Sequence, residues 1–264
     1  MDNSNKELLL CGSGLPAIAH IGVLSALDER GARVGTITGG STSALIAALR
    51  ANGVKSSVIQ DLFLNRDLTR FNNADWLGVR DGCQATPRMF HPVVDLLPTA
   101  QAFVQANALK PVAGLSIVCF DLLSQKPVIF SGVNYDLATA LAGACAVPGI
   151  SRPVRTGKYL LVDVAGHDWQ PKSVCGTKAI ISRATYRDDE TGTEAATQLD
   201  RWLKQRRQLL RFVECKLTDC CRREHVVIET ALSAKNGCGC TLNDTAIAAV
   251  INQGYEAGKT ARLD

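Results

Sequence analysis

Two serine- and glycine-rich corners and one aspartate supply residue types from which this chain could build an acyl-transfer site. Gly39-Gly40-Ser41-Thr42-Ser43 follows the segment VGTIT and opens a run of small helix formers, ALIAALRA. A serine at such a strand-to-helix corner is pushed out above the sheet, with its Oγ at the positive end of the helix. That is a nucleophile elbow in the form G-x-S-x-S. When such a serine attacks an acyl carbon an oxyanion forms, and it needs backbone N–H groups aimed at it. The earlier turn, Gly12-Ser13-Gly14, could offer them: glycines let the backbone approach a ligand closely, and the helix beginning near Pro16 adds its dipole.

Each of these residues has a plainer reading. Serine and threonine cap helices everywhere. Gly12-x-Gly14-x-x-Ala17 also satisfies the dinucleotide fingerprint, but that motif expects a carboxylate at the end of the second strand, which here reads TITGGS. The lysine of a P-loop is missing too, so nucleotide binding is disfavoured. Asp163, at the end of YLLVD, would by itself be a turn-forming residue. His20, His167 and His225 read as packing or surface residues, and His225 is the one to consider if the chemistry required a triad.

Positioning these groups requires an alternating fold. The sequence predicts a strand at 6–11, a helix at 16–29, a strand at 34–38 and a helix at 42–52, a pattern that implies parallel strands covered by helices. Residues 55–115 read as helices and loops over one end of the sheet. GLSIVCFDL and PVIFSG, joined by LSQK, suggest an antiparallel pair or a sharp reversal, and a helix follows over about 135–145. KYLLVDV reads as a buried strand, then KAIISRATY and HVVIETAL as further strands, with a last helix over about 242–258. The expectation is an α/β fold, three-layer α/β/α with a central mostly parallel sheet, forming one domain across 1–264.

Composition narrows the function classes. The chain has 264 residues, 46% hydrophobic and 20% charged, with no apolar run near the length of a membrane span. A net charge of +4 is too small to argue for nucleic acid. The N-terminal stretch MDNSNKELLLCGSG fails as a secretory signal, which points to a cytoplasmic protein. Of the ten cysteines, Cys11, Cys83, Cys119 and Cys145 sit singly in apolar surroundings and read as core residues. The denser set Cys215, Cys220, Cys221, Cys238 and Cys240 matches no common zinc spacing, so no metal is expected; it reads as a reduced thiol cluster, or as a crossed disulfide in an oxidising compartment. Arg201 to Lys216 alternate apolar and basic positions at helical spacing. That segment reads as a surface helix, or as a peripheral membrane contact attracting anionic headgroups.

Taken together the blocks resemble the patatin-like phospholipase family. The likeness runs through the glycine turn, His20-Ile21-Gly22-Val23-Leu24-Ser25-Ala26-Leu27, the serine elbow, Ala146-Val147-Pro148-Gly149-Ile150 with Pro153-Val154, and Asp163 with Pro171 after it. AVINQGYEAG also resembles the family's last helix. The resemblance implies a patatin-like fold and a serine lipid acyl hydrolase with a Ser41–Asp163 dyad. It also implies an oxyanion hole from Gly12, Ser13, Gly14 and Thr42, no metal or organic cofactor, and a lipid or lipid-like ester as substrate. Oligomeric state is left open.

The chain departs from the family at several of these positions. Ser13 stands where a glycine is expected, Pro16 where a basic residue is usual, Ala17 and Ser43 where glycines are usual. Val164 and Ala165 replace the glycines after the aspartate, and a β-branched Val164 would be costly if that turn needed φ > 0. Loss of the cation at 16 favours a broad esterase or lipid acyl hydrolase over a strict phospholipase. The altered turn keeps a second reading open: a catalytically weak or inactive patatin-fold binding or regulatory protein.

Overall fold

The computed structural model of the chain describes residues 6–12, 14–64, 95–148, 151–164, 179–186, 226–232 and 244–263. Strand β1 (Lys6–Cys11) leads through a 3-10 turn (Leu15–Ile18) into α1 (Ala19–Glu29), and β2 (Val34–Gly40) leads into α2 (Thr42–Ala51). Helices α3 (Ser56–Leu64) and α4 (Leu97–Ala106) precede β3 (Leu115–Asp121), β4 (Lys126–Ser131) and α5 (Leu137–Cys145). Then come β5 (Val154–Thr156), β6 (Tyr159–Val162), β7 (Ile180–Tyr186), β8 (Val226–Leu232) and α6 (Asp244–Thr260).

The strands form one sheet in the order β5-β6-β3-β2-β1-β7-β8, with β4 pairing β3. Neighbours from β3 through β8 run parallel, while β4, β5 and β6 pair antiparallel. β1 lies at the centre, and its run LLLC is buried on both faces, as a central parallel strand requires. Leu8 and Leu10 face the large core built with α1, α2, α5 and α6, whereas Leu9 and Cys11 join Val118, Val164, Ala179 and Ile181 in a second cluster. Alternation along the strand therefore buries apolar side chains on both sides of the sheet.

One detail of the pairing places the site. β4 occupies one edge of β3 along Ser116–Asp121. A strand has two edges, so β2 and β6 must share the other. β2 pairs there as far as Gly40 opposite Val118, and antiparallel β6 ends with Val162 opposite Phe120. The two chains thus meet end to end at the level of Cys119. The next residue of each is Ser41 and Asp163.

The expected antiparallel pair at 115–131 is present, and α3 and α4 lie within the irregular stretch. KYLLVDV is not one long buried strand. Only Tyr159–Val162 pair, and the outer neighbour is the three-residue β5, so Tyr159 and Leu160 are half-buried. The basic segment 201–216 and the cysteines at 215–240 lie outside the described residues, as do Cys83, His167, Pro171 and His225.

Candidate active site

Ser41 sits between β2 and α2 with φ 54° and ψ −141°. A non-glycine residue close to this glycine-preferred region carries strain of about 1–3 kcal/mol, held only where the surroundings over-determine it. The surroundings do so here. Gly40 is pressed against the next layer, since a Cβ there would fall 2.7 Å from Val164 Cγ1 and 3.3 Å from the Val118 carbonyl oxygen. The Ser41 carbonyl accepts from Ala44 N at 3.0 Å and from the Cys145 thiol at 3.5 Å. The corner turns the side chain toward β6, and Ser41 Oγ donates to Asp163 Oδ2 at 2.6 Å.

Both partners are buried, Ser41 at 6% and Asp163 at 1% exposure. Asp163 N donates to the Ala146 carbonyl at 2.9 Å, which ties the end of β6 to the C-terminal end of α5. Val164 is a packing residue of the second cluster, and it is not among the non-glycine residues with positive φ, which are Ser41, Ala108 and Gln125 among those described. The turn after Asp163 therefore accommodates a β-branched residue without left-handed backbone. Ala165 lies outside the described residues. Burial, then the negative charge of nearby Asp163, pushes the thiols of Cys119 and Cys145 well above their usual range. Both thiols stay protonated, so Cys145 is a donor to the elbow and not a rival nucleophile.

The first glycine turn is fastened to the elbow by two hydroxyls. Ser43 Oγ donates to the Gly12 carbonyl at 2.7 Å, and Gly14 N donates to Thr42 Oγ1 at 3.1 Å. Gly14 takes φ 61° and ψ −142°, and a side chain there would meet nothing within 4 Å, so the glycine is needed for backbone conformation alone. Of the candidate oxyanion residues, Gly12, Gly14 and Thr42 are brought to the elbow, while Ser13 lies outside the described residues.

His20 is fully buried, and its Nδ1 lies 2.8 Å from Ser182 Oγ. Burial holds its pKa down to about 3, against a smaller opposing effect of the Cys11 backbone. Two contributors escape a reading of the sequence. Ser43 registers there only as a missing glycine, although its hydroxyl fastens the two turns together. Cys145 reads there only as a core residue, whereas the packing of α5 against α2 brings its thiol to the Ser41 carbonyl. A cleft of about 420 Å³ between β8 and α6, lined by Glu229, Thr230, Asn252 and Gln253, shares no residue with the dyad.

Comparison with known proteins follows the same lines. The family model described as patatin-like phospholipase matches residues 8–165. Among solved structures, the chain is similar to VipD from Legionella pneumophila at 15% identity and a TM-score of 0.52, covering 96% of this chain and 66% of that one. It is also similar to ExoU, solved with SpcU from the type III secretion system of Pseudomonas aeruginosa, at 15% identity and a TM-score of 0.50, covering 97% and 50%. The chain spans half to just under two thirds of the length of these proteins. At such identity the likeness shows the fold: a mixed, mostly parallel sheet with helices on both sides. With the family match running from within β1 to the second residue after Asp163, more than half its length, the chain belongs to the patatin-like phospholipase family, a family of lipid hydrolases.

Proposed function

We propose that the chain hydrolyses carboxylic esters of lipids, with Ser41 as nucleophile and Asp163 as general base. The observation that carries this reading is the 2.6 Å bond from Ser41 Oγ to Asp163 Oδ2 at a strained strand-to-helix corner. Asp163 takes the hydroxyl proton as Oγ bonds to the ester carbonyl carbon, and the carbonyl electrons move to oxygen. Backbone N–H groups of the Gly12–Gly14 turn and of Thr42 hold that oxyanion. The C–O bond to the alcohol then breaks, and the alcohol leaves with the proton from Asp163. Water attacks the acyl-Ser41 ester with Asp163 again as base, releasing the fatty acid and restoring the serine. Serine, carboxylate, backbone amides and water suffice for every step.

One observation favours a weaker catalyst or a binding protein instead: Gly14 N is already engaged with Thr42 Oγ1, so an oxyanion must compete for it. A fluorophosphonate probe separates the two readings. Labelling of wild type that is absent in Ser41→Ala, with acyl release from a panel of neutral and phosphorylated lipids, supports hydrolysis. Ser41→Ala and Asp163→Asn should each lower release by about a thousandfold or more. Equal release by wild type and Ser41→Ala would end the enzyme reading.

A further inference from the structure

The two antiparallel hairpins beside the dyad reach past it. β3 continues beyond the level of Cys119 to Asp121, about 7 Å further along the strand, and the chain turns at Leu122. β6 runs the opposite way, so moving back from Asp163 toward Tyr159 leads outward in the same direction. Leu122 N donates to the Leu160 carbonyl at 2.9 Å, and Leu160 pairs with Arg155, so the β3–β4 and β5–β6 hairpins project side by side. Both overhang the carboxyl end of β2, where Ser41 sits.

Their composition is one-sided. Leu122 and Leu123, in the β3–β4 turn, are 39% and 59% exposed. Residues 122–135 and 151–162 contain Lys126, Arg152, Arg155 and Lys158 and no aspartate or glutamate. All four cations are exposed, and Lys158 Nζ lies 5.2 Å from the ring centre of half-buried Tyr159. The adjoining Asp121 is a single acid beneath these four cations and leaves them in excess. It is buried, and its carboxylate accepts from Ser124 Oγ at 2.6 Å, Leu160 N at 2.8 Å and Ser124 N at 3.0 Å. Those bonds also hold the two tips together. Exposed leucines on a rigid tip, an interfacial tyrosine and cations unbalanced by acids match the layers of a bilayer surface with anionic headgroups.

We propose that the paired tips of these hairpins are the surface by which the protein docks on an anionic lipid membrane, bringing the end of β2 that carries Ser41 toward the lipid. The lipid-hydrolase reading gives the docking its purpose, but binding is measurable without hydrolysis. The test is co-flotation with vesicles of phosphatidylcholine alone and of phosphatidylcholine with phosphatidylserine, using full-length protein. Wild type and Ser41→Ala should bind the anionic vesicles equally and the neutral ones far less. Lys126→Glu/Arg155→Glu/Lys158→Glu should lower binding by at least about a hundredfold, since each cation near such a surface contributes roughly a factor of five. Leu122→Ser/Leu123→Ser should weaken it without changing its salt dependence.

Unchanged hydrolysis of a soluble short-chain ester and an unchanged melting temperature show that the variants are folded. The proposal is overturned if wild type floats with neither vesicle or equally with both, or if the charge-reversed protein binds as wild type does. It is equally overturned if Arg206→Gln/Arg207→Gln alone abolishes binding, which would move the contact to the basic segment. Failure of wild type to release more fatty acid than Ser41→Ala removes the hydrolase reading and leaves the docking result standing.

Discussion

Gly14 and Ser41 occupy equivalent corners of two successive strand-to-helix turns and adopt nearly the same backbone, φ 61° ψ −142° and φ 54° ψ −141°. One turn is built for a residue without a side chain, the other places a hydroxyl in the same unfavourable conformation. The duplication explains why the chain begins with two such corners. In the proposed mechanism the first lends backbone groups and the second a side chain, and Thr42 and Ser43 bind the two turns into one unit.

Strain at these corners is measurable by urea unfolding. Gly14→Ala adds a side chain with nothing to strike within 4 Å, so its whole effect is conformational, a destabilisation of about 1–3 kcal/mol. Ser41→Gly and Ser41→Ala both delete the hydroxyl, but only the glycine relieves the corner. Allowing for glycine's greater chain entropy, Ser41→Gly should be the more stable by about 1 kcal/mol. An Ala variant as stable as the Gly variant would show that the corner is unstrained.

The fit of Gly40 against Val164 predicts a compensating pair. Gly40→Ala forces a Cβ to 2.7 Å from Val164 Cγ1 and should destabilise by about 1–3 kcal/mol. Val164→Ala alone loosens the second cluster and is also destabilising. Combined, the two should be less harmful than their sum by about 1 kcal/mol, although the Val118 carbonyl limits the rescue. Strict additivity in a double-mutant cycle would refute the contact.

His20 predicts a pH dependence of stability. Its folded pKa of about 3 lies below the ordinary value of 6.5, so between these the unfolded chain binds a proton that the folded chain refuses. Stability contributed by the neutral imidazole is complete above pH 6.5 and declines as pH falls toward 3, by about 1.4 kcal/mol per pH unit. His20→Asn should flatten the curve between pH 6.5 and 4.5 relative to wild type. Parallel curves for the two proteins would mean that this imidazole is charged inside the fold.

Asp121 behaves in the same sense at lower pH. The Ser124 hydroxyl and then the Leu160 amide hold its carboxyl down to about 2. Its contribution is intact above the ordinary carboxylate range and disappears as pH falls through about 2. Asp121→Ala should therefore lower the melting temperature at neutral pH and speed amide exchange at Leu160, Leu123 and Ser124. Exchange unchanged at Leu160 would mean that the carboxylate does not join the two hairpins.

Much of this arrangement is legible in the residues because it is local. The apolar run LLLC, the glycine corners and the small helix after Ser41 each reveal themselves within a few positions, and so do the alternation and most of the parallel sheet. What escapes is set by pairing between distant strands. Nothing near Val162 announces that β6 turns antiparallel to meet β2 head-on, and nothing near Cys145 marks it as a neighbour of Ser41 through the packing of α5 on α2. Val164 misleads in the other direction: read by analogy with a glycine it looks like damage, whereas its side chain fills the space above Gly40.

Helices α1 and α6 touch through their backbones: a methyl group on Gly22 would lie 1.9 Å from the Ile251 carbonyl oxygen, and one on Gly254 equally close to that of Ala19. The family match ends at residue 165, yet this seam locks a helix from 244–260 onto the one that leaves the first glycine turn. Pruning the protein to its recognisable motif would peel away the backing of that turn along with two strands of the sheet. A fragment meant to retain the chemistry must therefore carry its far end with it.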